Sequence, residues 1–107
     1  MKRALTVLLA AALAAGALQV LPSLAATRSV TIGDNFFKPT TLSVSKGTTV
    51  KWVWKGSSLH NVTRSRGPAF AKCGNRTKGS CSRTLRRAGT YRLLCTIHGF
   101  RMKVVVR

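Results

Sequence analysis

Three side chains with metal-binding atoms lie close together near the end of this 107-residue sequence. They are Cys95, His98 and Met102, separated by two and then three residues. A thiolate, an imidazole and a thioether at this spacing can converge on one metal ion if they share a loop between two strands. Two of the three donors are sulfur, which favours copper, and Cu(I) in particular, over magnesium, calcium or manganese.

A second imidazole would complete this donor set. The sequence contains only one other histidine, His60, about 35 residues upstream and just past the clearest strand pattern. Two imidazoles and a thiolate in a plane, with a thioether as weak axial donor, are the ligands of blue-copper electron-transfer sites. The sequence therefore predicts that His60, Cys95, His98 and Met102 bind one copper ion. Taken singly, each residue is more often structural, so the prediction depends on their combination and order.

Two other interpretations of the Cys and His residues are weaker. Zinc also binds both types, but a thioether is a poor zinc donor, and structural zinc sites usually take four Cys or His ligands. A nucleophilic Cys–His pair would need a group to orient the base, and Asp34 is the only carboxylate side chain in the sequence. We therefore expect a binding protein and not an enzyme.

The elements that position the donors are predicted to be β-strands throughout, because period-two patterns alternate with turn residues. The predicted strands are residues 29–32, 41–44, 48–54, 59–63, 82–85, 90–95 and 102–106. In residues 48–54, Val50, Trp52 and Trp54 share one face, so the tryptophans are expected in the core. Residues 64–80 are predicted to form a long basic loop. Seven or eight short strands of this kind fit an all-β Greek-key sandwich.

The first 25 residues are predicted to be a cleaved signal peptide. Lys2 and Arg3 precede an apolar run over residues 4–20, and Ser23 and Ala25 have the spacing of a signal-peptidase site. A retained membrane anchor is the alternative, but the run is short for a membrane span. We expect one domain, residues 26–107, in the periplasm or outside the cell.

The net charge of the chain indicates which classes of partner it can bind. The sequence has 19 basic residues and one acid; loss of Lys2 and Arg3 with the signal would leave 17 against Asp34, a net charge of +16. Such a charge favours acidic proteins, anionic envelope polymers or membrane surfaces as partners, and it bears on association more than on fold. Nucleic acid is an unlikely partner for an exported chain.

Three cysteines in an exported chain suggest one disulfide and one cysteine with another role. Cys73 and Cys81 lie eight residues apart in a polar stretch, where a bridge would close a short loop and stabilise a small domain. A second metal bound by this pair is the alternative. The bridge would leave Cys95 for copper.

Residues 59–63, 91–98 and 102–106 together resemble the plastocyanin-like cupredoxins, which are small blue copper proteins. Residues 35–39 and 47–54 are also similar to the start of such a domain, so the resemblance covers nearly all of the predicted mature chain. It implies a one-electron carrier that cycles between Cu(I) and Cu(II). We expect the exported protein to be a monomer.

The resemblance also implies that the Asn61 side chain ties the His60 segment to the loop around Thr96. Leu59 stands where many relatives have proline, and the Cys73–Cys81 loop is not a general feature of the family. Neither departure touches the four donors. Both affect loop shape and the choice of partner.

A docking surface for a redox partner is predicted beside His98, formed by Gly99, Phe100 and Arg101. Because the surrounding surface is basic, the partner is expected to be acidic at its docking face. A core position for Phe100 is the alternative. Arg101 places a positive charge near the metal, which favours Cu(I).

Two other functions are compatible with a copper site in this sequence. The protein could buffer or deliver copper without electron transfer, although Met1 and Met102 are its only methionines and a Cu(I) relay is expected to have methionine clusters. Alternatively, the basic charge could attach the domain to an anionic envelope, with copper as a structural staple.

Overall fold

The computed structural model describes residues 26–107, so the predicted signal peptide lies outside the described residues. Within them the chain forms nine β-strands and no helix, and hence no helix that could cross a membrane. The strands are β1 Thr27–Gly33, β2 Phe36–Lys38, β3 Thr41–Val44, β4 Thr48–Trp54, β5 His60–Arg66, β6 Cys73–Arg76, β7 Gly79–Leu85, β8 Gly89–Leu94 and β9 Arg101–Val106. The all-β prediction is confirmed.

The strands form two sheets, with orders β2-β1-β4-β7 and β3-β9-β8-β5-β6. Two pairs run parallel, β1 with β4 and β3 with β9, and the other pairs are antiparallel. Both parallel pairs join strands that are distant in sequence. The sheets therefore bring separate parts of the chain to the same end of the sandwich.

The core contains the inward faces of both sheets, and β4 shows how the sequence builds it. Val50, Trp52 and Trp54 are buried, whereas Lys51 is exposed, as the period-two pattern predicted. The Trp52 ring meets the Phe70 ring edge-on, with centroids 5.5 Å apart. Burying one such side chain stabilises the fold by roughly 1.5–3 kcal/mol, so the tryptophans anchor β4 firmly.

Residues 64–80 differ from the prediction of a single long loop. They contain the end of β5, all of β6 and the start of β7. The four residues of β6 include glycine and asparagine, which have weak strand propensity. Their pairing with β5 is short and shifts register, so tertiary contact and not local sequence makes this strand.

The predicted disulfide joins Cys73 and Cys81, with Cα atoms 6.1 Å apart. Cys73 begins β6, the edge strand of one sheet, and Cys81 lies in β7, the edge strand of the other. The bridge therefore links the two sheets along one side of the sandwich. Strand β6 in turn pairs with β5, the strand that begins with His60.

Three connections bring the chemistry-bearing side chains to one end of this frame. They are the turn between β1 and β2, the β4–β5 connection that leads to His60, and the β8–β9 loop that contains Cys95 and His98. Each connection starts and ends on paired strands. The sandwich thus limits how far their side chains can move apart.

Candidate metal centre

His60 is the first residue of β5, and its side chain is completely buried. The indole Nε1–H of Trp54, the last residue of β4, donates a hydrogen bond to the His60 carbonyl oxygen at 3.0 Å. This bond spans the β4–β5 connection. The core tryptophan therefore fixes the backbone from which the imidazole projects.

Cys95 and His98 lie in the loop between β8 and β9. Cys95 is buried, and its N–H donates to the Phe100 carbonyl at 3.0 Å. The Gly99 N–H donates to the Cys95 carbonyl at 2.7 Å, and Gly99 has a φ of +83°, a conformation that glycine adopts without steric cost. The loop is thus a compact turn that presents the exposed His98 ring above the buried sulfur.

The structure brings three of the predicted donors together. Cys95 Sγ lies 3.8 Å from His60 Nδ1 and 3.9 Å from His98 Nδ1, and the two Nδ1 atoms are 3.1 Å apart. With metal–nitrogen bonds of about 2.0 Å and a metal–sulfur bond of about 2.3 Å, a trigonal ion would separate the nitrogens by about 3.5 Å and nitrogen from sulfur by about 3.7 Å. The triangle of donors therefore has the size that a bound ion requires.

Met102, the fourth predicted donor, is the second residue of β9 and is buried. Its Sδ accepts a hydrogen bond from Trp52 Nε1 at 3.4 Å. A thioether is a weak acceptor, so this contact orients the sulfur without holding it strongly. Met102 is thereby held in the core directly after the loop that carries Cys95 and His98.

The Asn61 side chain connects β5 to the metal loop. Its Oδ1 accepts from the Thr96 N–H at 3.1 Å and from Thr63 Oγ1 at 2.8 Å. Its Nδ2 donates to Thr96 Oγ1 at 2.8 Å and to Asn75 Oδ1 at 2.9 Å. The contact with Thr96 is the one that the resemblance implied, whereas the contact with Asn75 of β6 was not anticipated.

Asp34 is a site residue that sequence reasoning missed. Its Oδ1 lies 2.8 Å from Nε2 of His60, and the carboxylate also accepts from the backbone N–H groups of Ser57 and Ser58. The hydrogen bond from His60, followed by those from Ser57 and Ser58, holds the pKa of Asp34 well below its usual range. The sole acid of the chain is therefore ionised and lies behind a metal-binding imidazole. Its presence as the only carboxylate was the one sequence signal that could have drawn notice.

The Cys95 thiol is prepared for metal binding. Burial raises its pKa, but hydrogen bonds from the backbone N–H groups of Asn61 and His98 are the largest opposing causes, and the pKa is lowered to about 6. In the metal-free protein the thiolate is thus the main form at neutral pH. The thiolate is the form that binds metal.

The predicted docking residues differ in exposure. Gly99 and Arg101 are exposed, whereas Phe100 is half-buried, with its ring centroid 4.8 Å from that of Phe37 and 5.3 Å from that of His60. Phe100 thus packs behind the loop. Among residues 26–107, the large apolar side chains that are exposed are Phe36, Leu59 and Ile97.

These three residues, called the apolar rim below, all lie beside the site in sequence. Leu59 precedes His60, Ile97 precedes His98, and Phe36 follows the turn that contains Asp34. Sequence reasoning missed the rim because strand patterns do not show which apolar residues of a loop or of a strand end face solvent.

Comparisons with known proteins agree with this geometry. A family model described as copper-binding proteins of the plastocyanin/azurin family matches residues 25–107. A search of curated proteins found no match.

Solved structures similar to this chain include three variants of amicyanin. An oxidized methionine-to-leucine variant is 34% identical, with a TM-score of 0.68, covering 75% of this chain and 81% of that one. An oxidized proline-to-glycine variant is 33% identical, with a TM-score of 0.67 and coverages of 80% and 95%. A Cu(I) form of a methionine-to-alanine variant is 32% identical, with a TM-score of 0.68 and coverages of 82% and 88%.

The family match spans most of the chain, and the relatives share its fold at more than 30% identity. The resemblance to the cupredoxins and the expectation of a copper cofactor are both confirmed. His60, Cys95 and His98 are the described residues that the fold brings together to bind one copper ion. This chain belongs to the plastocyanin/azurin family of copper-binding proteins.

Proposed function

We propose that the protein is an exported type 1 copper protein that carries single electrons between partner proteins. The observation that supports this most directly is the triangle of two imidazole nitrogens and one sulfur, with sides of 3.1 to 3.9 Å. Copper bound there would supply a Cu(I)/Cu(II) couple. Similar chains have been solved in oxidized and in Cu(I) forms, which is consistent with a redox role.

The chain contributes a site that needs little rearrangement. His60 lies on a paired strand, and Cys95 is held by a backbone hydrogen bond across its loop. Because every ligand movement adds to the barrier for electron transfer, a fixed triangle favours rapid exchange. The lowered pKa of Cys95 also means that copper binding displaces few protons at neutral pH.

Met102 is proposed as the fourth residue that would hold the copper ion, and its thioether would tune the potential. It is buried at the start of β9, and the indole of Trp52 orients its sulfur. Because the hydrogen bond from Trp52 is weak, the thioether would remain available as a donor to the ion.

Electrons are proposed to pass through the exposed His98 edge to a partner that covers the apolar rim. Phe36, Leu59 and Ile97 supply the exposed apolar surface, Gly99 and Arg101 lie beside it, and Phe100 supports the loop from behind. The partner is expected to be acidic at its docking face because the chain is strongly basic. The protein is proposed to act as a monomer in the periplasm or at the cell exterior.

The test is to add Cu(II) to the purified mature protein, record its visible spectrum and then run cyclic voltammetry. The expected result is an intense thiolate-to-copper band and a reversible one-electron wave. Cys95→Ser should abolish the band, because the sulfur that gives it is gone.

A matched control replaces the other two sulfurs. The double variant Cys73→Ser and Cys81→Ser should keep the band, since the disulfide does not supply a ligand. A wild-type protein without the band, or a band that survives Cys95→Ser, contradicts the proposal. A band without a reversible wave would instead identify a copper-buffering or copper-delivery protein.

A further inference from the structure

We propose that Asp34 is a positioning residue for the metal centre: it holds His60 in the tautomer that binds copper through Nδ1, and its charge favours Cu(II). The first part concerns the metal-free protein. The second part rests on the proposed function. Asp34 is the only acidic residue in a chain with 19 basic ones, and it lies on the imidazole that is completely buried.

The tautomer follows from the donors and acceptors around the His60 ring. An ionised carboxylate only accepts hydrogen bonds, so the 2.8 Å contact with Asp34 Oδ1 requires the proton on Nε2. The neutral ring then has its lone pair on Nδ1. That atom faces Cys95 Sγ and the His98 ring, so Asp34 aims the lone pair into the triangle of donors.

Asp34 is itself held in place. The N–H groups of Ser57 and Ser58 donate to its carboxylate at 3.0 to 3.1 Å, and Ser57 Oγ makes a further contact at 3.1 Å. A Cβ at Gly56 would lie 2.3 Å from Asp34 Oδ1, so only glycine leaves room for the carboxylate. These contacts hold the carboxylate in the position from which it accepts the imidazole N–H.

The charge of Asp34 acts on the copper couple. Reduction takes one electron from a partner and lowers the charge of the site by one, so a nearby negative charge favours the oxidised ion. A carboxylate on the outer nitrogen also makes the imidazole a stronger donor. Arg101, on the exposed side of the site, has the opposite sign, and the potential should reflect both.

The experiment separates orientation from charge with two variants and a control. Asp34→Ala removes the acceptor and the charge, whereas Asp34→Asn retains a carbonyl oxygen that can accept from Nε2 but removes the charge. Ser43→Lys adds the same unit of positive charge on β3, opposite Val105 and at the far end of β9 from Arg101. It controls for net charge alone.

The first measurement is the tautomer of His60 in metal-free protein, from nitrogen-15 chemical shifts of the ring. Wild type, Asp34→Asn and Ser43→Lys should show the Nε2–H form only, and Asp34→Ala a mixture. Gly56→Ala, which pushes the carboxylate aside without removing its charge, should also give a mixture. If Asp34→Ala does not fold, Gly56→Ala still tests whether the carboxylate sets the tautomer.

The second measurement is the reduction potential of the copper-loaded proteins. Asp34→Asn should lower the ratio of Cu(II) to Cu(I) affinity about tenfold, which is a rise of about 59 mV for a one-electron couple. Ser43→Lys should change the ratio less than twofold.

A single Nε2–H tautomer in both Asp34→Ala and Gly56→Ala overturns the positioning role. A potential for Asp34→Asn equal to that of Ser43→Lys overturns the role of charge. If the wild-type protein gives no thiolate-to-copper band, the proposed function fails, and the metal-free tautomer measurement still decides whether Asp34 positions His60.

Discussion

The two histidines of the metal centre offer the same Nδ1 atom from opposite kinds of structure. His60 lies in a strand and is fully buried, and its Nε2 hydrogen-bonds to Asp34. His98 lies in a loop, is exposed and is followed by Gly99 with a positive φ. The sandwich therefore determines the position of one imidazole, and a short loop determines the other.

This difference separates two tasks that a redox site must perform. The buried half maintains ligand geometry, because moving His60 would break contacts with Trp54 and Asp34. The exposed half brings one ligand to the surface, where we propose that electrons enter and leave. The Asn61 side chain is the link between them, since it hydrogen-bonds Thr96 of the loop from β5.

The strongest test of this comparison removes each imidazole in turn. His60→Gly should leave a closed cavity, destabilise the fold by about 2–5 kcal/mol, and lose the copper band without rescue by added imidazole. His98→Gly should open the site to solvent, change stability by about 0.5 kcal/mol or less, and regain a copper band when imidazole fills the gap. Thermal unfolding and visible spectra measure both effects. Equal rescue of the two variants would refute the distinction between a buried half and an exposed half.

A smaller effect is expected when the link between the halves is cut. Asn61→Ala removes a buried amide that makes four hydrogen bonds with three residues, so the free energy of unfolding of the metal-free protein should fall by about 2 kcal/mol. All three close donors remain, so the copper band should persist with a faster loss of copper to a chelator. Thr41→Ala, an exposed threonine on β3, is the matched control and should change neither quantity. An unchanged rate of copper loss would show that the link does not brace the loop.

The smallest effect on stability is expected at the apolar rim. Ile97→Ser changes a side chain that is 44% exposed. The free energy of unfolding should therefore change by about 0.5 kcal/mol or less, and the visible spectrum should not change. The rate of electron exchange with an acidic redox partner should fall several-fold, because apolar contact beside His98 is lost. Val105→Ser, on β9 away from the loop, is a control in stopped-flow measurements. Equal rates for the two variants would exclude the rim as the docking surface.

Seven of the nine described strands and the metal-binding triangle could be predicted from sequence, because their signals are local or chemical, whereas β2 and β6 were not predicted. Alternation in β4 showed its buried face, and the short spacing of Cys95 and His98 placed two soft-metal ligands in one loop. The choice of His60 required no geometry, because the chain has only two histidines.

The remaining features depend on contacts between distant segments. Asp34 reaches His60 across 26 residues because β1 pairs in parallel with β4, which places the end of β1 beside the β4–β5 connection. No period or motif in the sequence encodes that pairing. Strand β6 was likewise missed, because its residues become a strand only against β5.

The bridge between Cys73 and Cys81 also has a consequence for how the protein would mature in the oxidising compartment that we propose for it. Three thiols allow three pairings, and only this one leaves Cys95 reduced. With a pKa of about 6, Cys95 is largely ionised at neutral pH and would attack other disulfides readily if exposed. The burial of Cys95 and its binding to copper both prevent its sulfur from taking part in thiol–disulfide exchange. Correct oxidation of one pair and metal capture by the remaining sulfur are therefore parts of the same assembly process.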